Sequence, residues 1–257
     1  MATIAITGSA GGIGAATRAL LEAGGHRVIG VDVRDAEVVA DLSTVAGRAA
    51  MVAAVTDSCG GVLDGLVAGA GVMGGAGDLV VSINYFGAVA TLDGLRPLLA
   101  RGTNPSAVAI SSNSTTAQPG VPPAVVEACL AGDEDAARSL AAGLGGLPCY
   151  PASKLALARW VRRRAVGPDW IGSGIRLNAV APGLVATPMT ADSMDFILGL
   201  GDVYPIPQQR AGRPEEVAGL LAYLLSPEAG FFCGSVVFMD GGTDAALRGE
   251  DWPSPLI

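Results

Sequence analysis

Lys154 stands four residues after Tyr150 and is the only lysine in a chain that carries 15 arginines. At i and i+4 on a helix the two side chains share a face. A phenol ionises with an ordinary pKa of about 10, too high for acid/base work near neutrality. A neighbouring ammonium favours the phenolate and lowers that value; bringing it to near 7 is worth roughly 4 kcal/mol. The pair is therefore expected to exchange a proton with an oxygen, Tyr150 as acid/base and Lys154 as its activator. A lysine needed only for surface charge could equally have been arginine, whose planar guanidinium differs in size, hydration and donor geometry. A lone lysine has little chance of falling four positions after one of only four tyrosines.

A second constellation opens the chain. Thr7-Gly8-Ser9-Ala10-Gly11-Gly12-Ile13-Gly14 joins a short apolar run to a helical stretch. Such a turn brings backbone N–H groups and a helix N-terminus up to a pyrophosphate. Gly8, Gly12 and Gly14 are spaced GxxxGxG. Asp32 ends the next apolar run, where a carboxylate accepts hydrogen bonds from ribose hydroxyls and repels a 2′-phosphate. NAD is expected over NADP; Arg34 points the other way, and Asp32 weighs more. A dinucleotide beside a phenol acid/base points to hydride exchange between an alcohol and a carbonyl.

The rest of the composition narrows the class. The 257 residues are 50% hydrophobic and 16% charged, enough to bury a full core. A net charge of −8 argues against a nucleic-acid partner. The one basic cluster, Arg159 with Arg162, Arg163 and Arg164, fits a solvated helix face. Cys59, Cys129, Cys149 and Cys233 show no metal or redox spacing and suit reduced core thiols in the cytoplasm. His26, the single histidine, rules out a His-rich metal site and is expected to be structural; no metal is expected. Met1 to Thr7 has the pattern of a strand rather than a signal peptide. The uncharged stretch Gly65 to Gly77 is too short and glycine-rich to insert in a membrane.

Strand-like and helix-like segments alternate from the start. Strands are expected at Thr3–Ile6, Arg27–Val33, Glu37–Leu42, Leu63–Ala68, Ala107–Ser111, Ile175–Val180 and Val236–Met239. Helices are expected at Gly14–Ala23, from Ser43 as cap to about Asp57, and at Asn84–Ala100, Pro122–Leu140, Tyr150–Ala165 and Pro214–Leu225. Continuous apolar strands between helices imply a parallel sheet covered on both faces. One domain over 1–257 is expected, with a helical insertion at about 113–149 and a lid at about 189–213. Apolar Met189, Met194, Phe196, Ile197, Leu198 and Tyr204 would form that lid, with Met189 and Phe196 against substrate.

These motifs, in this order, resemble the short-chain dehydrogenase/reductase family over essentially the whole chain. The family's TGxxxGIG matches Thr7 to Gly14, and its YxxxK matches Tyr150 and Lys154. Its strand-end serine matches Ser112, its helix asparagine Asn84, and its PGxxxT segment Pro182, Gly183 and Thr187. The resemblance implies an α/β Rossmann-type doubly wound parallel sheet of about seven strands in the order 3-2-1-4-5-6-7. It implies that Ser112 holds the substrate oxygen beside Tyr150 and that Asn84 anchors a proton-relaying water near Lys154. Gly8, Ser9, Gly12, Ile13, Gly14, Ala70, Gly71, Tyr150, Lys154, Pro182, Gly183, Val185 and Thr187 would contact the cofactor, with Lys154 at the nicotinamide ribose and Val185 and Thr187 at the carboxamide.

Two departures stand out. The family's NNAG appears as Ala68-Gly69-Ala70-Gly71, and the interval from Ser112 to Tyr150 is much longer than usual. That long interval is shared with the family's bacterial 3α-hydroxysteroid dehydrogenase/carbonyl reductase subgroup. So are the run Arg34 to Thr44, Asn84-Tyr85-Phe86-Gly87 and the stretch Asp240 to Ala245. In that subgroup Asp41 and Leu42 would line the adenine pocket, and the substrate would be a small hydrophobic, steroid-like carbonyl or alcohol. The resemblance also leaves a 3-oxoacyl-(acyl carrier protein) reductase and a catalytically silent NAD sensor or scaffold in view. A homodimer or homotetramer is expected.

Overall fold

The structure is a computed structural model that describes residues 1–252. The first strand, β1 (Thr3–Thr7), leads through the glycine turn into helix α1 (Gly12–Ala23). Then come β2 (Arg27–Asp32), β3 (Val38–Val39), α2 (Val45–Cys59) and β4 (Gly65–Ala68). Helix α3 (Gly77–Val81) runs without a break through a π-helical segment, Ser82–Gly87, into α4 (Ala88–Leu99). Strand β5 (Ser106–Ile110) precedes three helices in the long interval, α5 (Ser114–Ala117), α6 (Pro123–Ala131) and α7 (Glu134–Ala142). Helix α8 (Gly146–Ala165), β6 (Arg176–Pro182), α9 (Met194–Leu198), α10 (Pro214–Leu225), β7 (Val236–Met239) and α11 (Thr243–Leu247) complete the order.

The seven strands form one parallel sheet in the order β3-β2-β1-β4-β5-β6-β7. This is the doubly wound Rossmann-type order that the motifs imply. Every residue of β4, β5 and β6 is buried, which explains their unbroken apolar runs. One face packs on α2, α4 and α8 in a large cluster that includes Met51, Leu92 and Leu157. The other packs on α1 and α10, through Ile4, Ile6, Leu21 and Leu221. Strand order reverses between β1 and β4, and a crevice outside the carboxyl ends of strands at such a point is where this architecture binds ligands. Among the described residues no helix is long and apolar enough to cross a membrane.

Several boundaries differ from the sequence expectation for local reasons. The strand expected at Glu37–Leu42 shrinks to two residues because the Glu37 carboxylate itself accepts the Gly30 N–H at 2.6 Å, in place of a strand partner. Thr44, not Ser43, caps α2: its hydroxyl accepts the Gly47 N–H at 3.0 Å. The helix expected at Pro122–Leu140 is two helices, broken where Gly132 takes a φ of +76° and Asp133 caps the next turn. Helix α8 begins four residues before Tyr150, at Gly146. Pro151 lies inside it and offers no N–H to the Leu147 carbonyl, which instead accepts from Gln118 Nε2 at 3.1 Å. His26 is structural: its Nδ1 accepts the Ala2 N–H at 3.2 Å.

Candidate active site

The residues singled out from the sequence converge on the carboxyl ends of β1, β2, β4, β5 and β6. At β1, Gly8 holds a φ of +77°, and a Cβ there would lie 2.9 Å from the Gly69–Ala70 backbone. A Cβ on Gly14 would sit 2.0 Å from the Gly8 carbonyl oxygen, so the turn closes only with glycine at both places. The N-terminus of α1 has no side-chain cap and no acidic residue in its first turn. Its N–H groups, including those of Gly12, Ile13 and Gly14, are thus available to an anion. Gly12 faces Thr187, whose Cβ would be 3.3 Å from a Cβ at Gly12, so the first turn and the segment after β6 form two sides of one cleft. Ser9 faces away from it: its hydroxyl and its N–H both donate to the Val31 carbonyl.

Asp32 closes the near end of that cleft. Its two oxygens accept the Ala10 and Val33 N–H groups at 3.0 and 2.7 Å, which fixes the carboxylate beside the turn with lone pairs to spare. Arg34 is exposed. Asp41 lies at the surface, its carboxyl lowered from the ordinary value by hydrogen bonds from Ser43. Leu42 is buried against Gly87. The β4 loop, Ala68-Gly69-Ala70-Gly71, is tied to β1 by Thr7, whose Oγ1 accepts the Gly69 and Ala70 N–H groups at 3.1 and 3.2 Å. At the far end, the Thr190 hydroxyl receives the Thr187 N–H at 3.2 Å and donates to the Val185 carbonyl. Gly183 donates to Met239 and is pressed against the Asp240 backbone.

Tyr150 projects from α8 toward Ser112, just past β5, whose hydroxyl draws its phenol down. Lys154 lies one turn deeper, 4% exposed, with Nζ 5.9 Å from the Tyr150 ring centre. Its ammonium donates to the Ile110 carbonyl at 2.8 Å, and the Ser111 hydroxyl ties the Lys154 carbonyl back to β5 at 3.0 Å. Asn84 is fully buried in the π-helical segment. Both its amide N–H groups are used, on the Val72 carbonyl and Ser153 Oγ, while its Oδ1 accepts the Val72 N–H at 2.8 Å. Gly71 fits between Asn84 and Lys154; a Cβ there would be 3.1 Å from Asn84 Oδ1 and 3.3 Å from Lys154 Nζ.

The electrostatics depart from the simplest expectation. Burial pushes the Tyr150 phenol up, and the hydrogen bond from Ser112 opposes it. Desolvation is the larger effect, and the Lys154 ammonium donates to the Ile110 carbonyl. Lys154 itself is brought down to about 8 by burial. Its folded value lies below the 10.5 of a free lysine. Between those pH values the unfolded chain holds a proton that the folded protein does not, so stability rises with pH across that window. Below pH 8 both states are charged and the full cost of burying the cation, about 3 kcal/mol, is present. The urea midpoint of the wild type should therefore rise relative to that of Lys154→Met from pH 8 to pH 10.5; a difference independent of pH would contradict a buried ammonium at 154.

A family model described as "Enoyl-(Acyl carrier protein) reductase" matches residues 144–244. The 3-alpha-hydroxysteroid dehydrogenase/carbonyl reductase of Comamonas testosteroni is 41% identical over 96% of this chain and 98% of its own length. The chain belongs to the short-chain dehydrogenase/reductase family. It is an oxidoreductase. Among solved members of the family, the crystal structure of the 3-alpha-hydroxysteroid dehydrogenase from Pseudomonas sp. B-0831 complexed with NADH superposes with a TM-score of 0.88 at 48% identity, covering 96% of this chain and 99% of that one. Cis-4-hydroxycyclohexanecarboxylate dehydrogenase of Sinomonas cyclohexanicum is 33% identical over 93% of this chain and 95% of its own length.

Within this short-chain dehydrogenase/reductase, the segment after Thr187 holds Met189 and Phe196 at the surface, Phe196 71% exposed. Tyr204 is the member of the expected lid that reaches inward. Burial pushes its phenol up, and Tyr150 adds to the effect. Tyr204 donates to Asn113 Oδ1 at 2.9 Å. Sequence reasoning passed over Asn113, although it directly follows Ser112.

Proposed function

We propose that the protein interconverts a secondary alcohol and a ketone on a small hydrophobic substrate, with NAD(H), as a 3α-hydroxysteroid dehydrogenase/carbonyl reductase. The observation that carries this reading is the Tyr150 phenol on Ser112, backed by the buried Lys154, beside the uncapped N-terminus of α1. The glycine contacts at 8, 12 and 14 and the fixed Asp32 carboxylate fit a dinucleotide whose ribose hydroxyls are free. The NADH in the Pseudomonas relative supports the same cofactor. Bound NAD would supply the hydride acceptor.

The chain's own groups do the rest. Ser112 and Tyr150 hold the reacting oxygen between two hydroxyls. In the oxidative direction Tyr150 takes the alcohol proton as the carbonyl forms; in reduction it returns one. Lys154 supplies the positive charge that favours phenolate when Tyr150 gives up its proton. Asn84 positions Gly71 and Val72 against Lys154. Pro182, Gly183, Val185 and Thr187 form the far wall at the nicotinamide end, with Ala70 and Gly71 opposite, while Asp41 and Leu42 lie toward the adenine. Exposed Met189 and Phe196 give a hydrophobic substrate an apolar cover. We place the enzyme in the cytoplasm, where its four free cysteines stay reduced, as a homodimer or homotetramer.

Purified protein should be assayed with 3α-hydroxysteroids, simple ketones and acyl thioesters, each with NAD and NADP cofactors. Turnover of a 3α-hydroxysteroid or hydrophobic ketone with NAD(H) is expected. Turnover confined to acyl thioesters would replace the substrate assignment, and none at all would sink the reading. Asp32→Ala should weaken NADH binding about 10- to 100-fold, the loss of one or two charge-assisted hydrogen bonds, measured by fluorescence titration. Unchanged affinity would remove Asp32 from the cofactor site.

A further inference from the structure

The Asp240-Gly241-Gly242 turn after β7 is left over from the chemistry above, yet it backs directly onto it. The Asp240 carboxylate accepts the Gly242 and Asp244 N–H groups at 3.1 and 2.7 Å, and Asn113 Nδ2 at 3.3 Å. A carboxylate only accepts, so the Asn113 amide can face it in one orientation, N–H toward Asp240. Oδ1 must then point the other way, toward Tyr204, and Tyr204 must donate. The chain Asp240–Asn113–Tyr204 therefore has a fixed polarity.

Each member belongs to a different wall of the site. Asn113 is 2% exposed, follows Ser112, and its N–H donates to the Pro182 carbonyl at 2.9 Å. Tyr204 belongs to the segment that carries Met189 and Phe196. The glycines after Asp240 are the seat for the end of that segment. Gly241 and Gly242 have φ of +68° and +96°, a Cβ on them would meet Ile206 and Pro207 at 3.1 Å, and Gln208 donates to the Gly241 carbonyl at 3.2 Å. Gly183 lies on the Asp240 backbone, with no room for a Cβ.

We propose that Tyr204 and Asn113 are positioning residues for the oxidoreductase reaction: Tyr204 latches the substrate-covering segment to the strand end that bears Ser112, with Asp240 as the fixed anchor. The inference rests on the function proposed above and adds the group that sets the cover over a bulky substrate. With its proton committed to Asn113, the Tyr204 hydroxyl leaves Tyr150 as the proton donor of the pocket.

Tyr204→Phe removes the latch and nothing else. It should raise KM for a 3α-hydroxysteroid about 10-fold, with kcat within twofold and NADH affinity unchanged. A small alcohol such as cyclohexanol, which needs no cover, should show little change in KM. Chymotrypsin should cut after Phe196 about 10-fold faster in the variant, at an unchanged melting temperature. Asn113→Ala should lower kcat as well, because Ser112 loses its neighbour's anchor. Asn113→Asp sets carboxylate against carboxylate and should behave like Asn113→Ala. Equal KM and equal cleavage rates for wild type and Tyr204→Phe would overturn the latch. An inactive wild type whose Tyr204→Phe form is still cut faster would overturn the substrate role while leaving the tether in place.

Discussion

Tyr150→Phe should reduce turnover by 10³-fold or more while leaving NADH affinity within about twofold, the span expected for loss of a positioned general acid/base. The substitution removes one oxygen from a ring that stays in place. Its hydroxyl partner, Ser112, keeps a second bond, accepting the Ser114 N–H at 3.1 Å. The glycine turn and Asp32 do not touch Tyr150, so cofactor binding has no reason to change. Steady-state assays beside a fluorescence titration of NADH make the test, and residual activity within tenfold of wild type would show that another group carries the proton. The deeper partner answers differently. Lys154→Arg keeps the charge, yet the pocket between Ile110 and Gly71 is shaped for a single ammonium.

Glu134→Ala should destabilise the protein by about 3 kcal/mol, the cost of stranding a buried cation, and lower its melting temperature by roughly 6–12 °C. The cation is Arg48, 7% exposed, which bonds Glu134 through two nitrogens at 2.6 and 2.7 Å. It also donates to the carbonyls of Leu42 at 2.7 Å and Ser82 at 3.0 Å. One guanidinium thus pins α7, from the long interval, to the loop at the proposed adenine end and to the π-helical segment that holds Asn84. Replacing both partners by apolar residues, Arg48→Met with Glu134→Leu, should recover most of the loss. Calorimetry on the two variants decides it: Glu134→Ala melting within two degrees of wild type would mean that the pair carries little.

The sheet order and the main helices were legible because parallel strands buried on both faces leave long apolar runs, and because Gly8, Gly14 and the Tyr150–Lys154 spacing each answer to one steric or chemical demand. Local hydrogen bonds hid other features. Glu37 takes the Gly30 N–H that a longer β3 would have used, and Gly132 splits a helix that composition alone would continue. Nothing in the spacing around Asn84 distinguishes a π-helical turn from an α-helical one. The Asn113–Tyr204 bond joins positions 91 apart, and only tertiary packing brings them together. The state of Tyr150 was misjudged for a similar reason. Lys154 lies on the expected face, but its ammonium donates to the Ile110 carbonyl, and burial decides the direction in which the phenol moves.

The most direct test follows the hydride. A 3α-hydroxysteroid carrying deuterium on carbon 3 should be mixed with NAD and the wild-type enzyme, and the products separated for mass spectrometry. The deuterium is expected in the nicotinamide ring of the NADH formed, one label for each ketone produced, and not with Tyr150→Phe. Ketone formed without label in NADH, or label lost to water, would contradict direct transfer at this site.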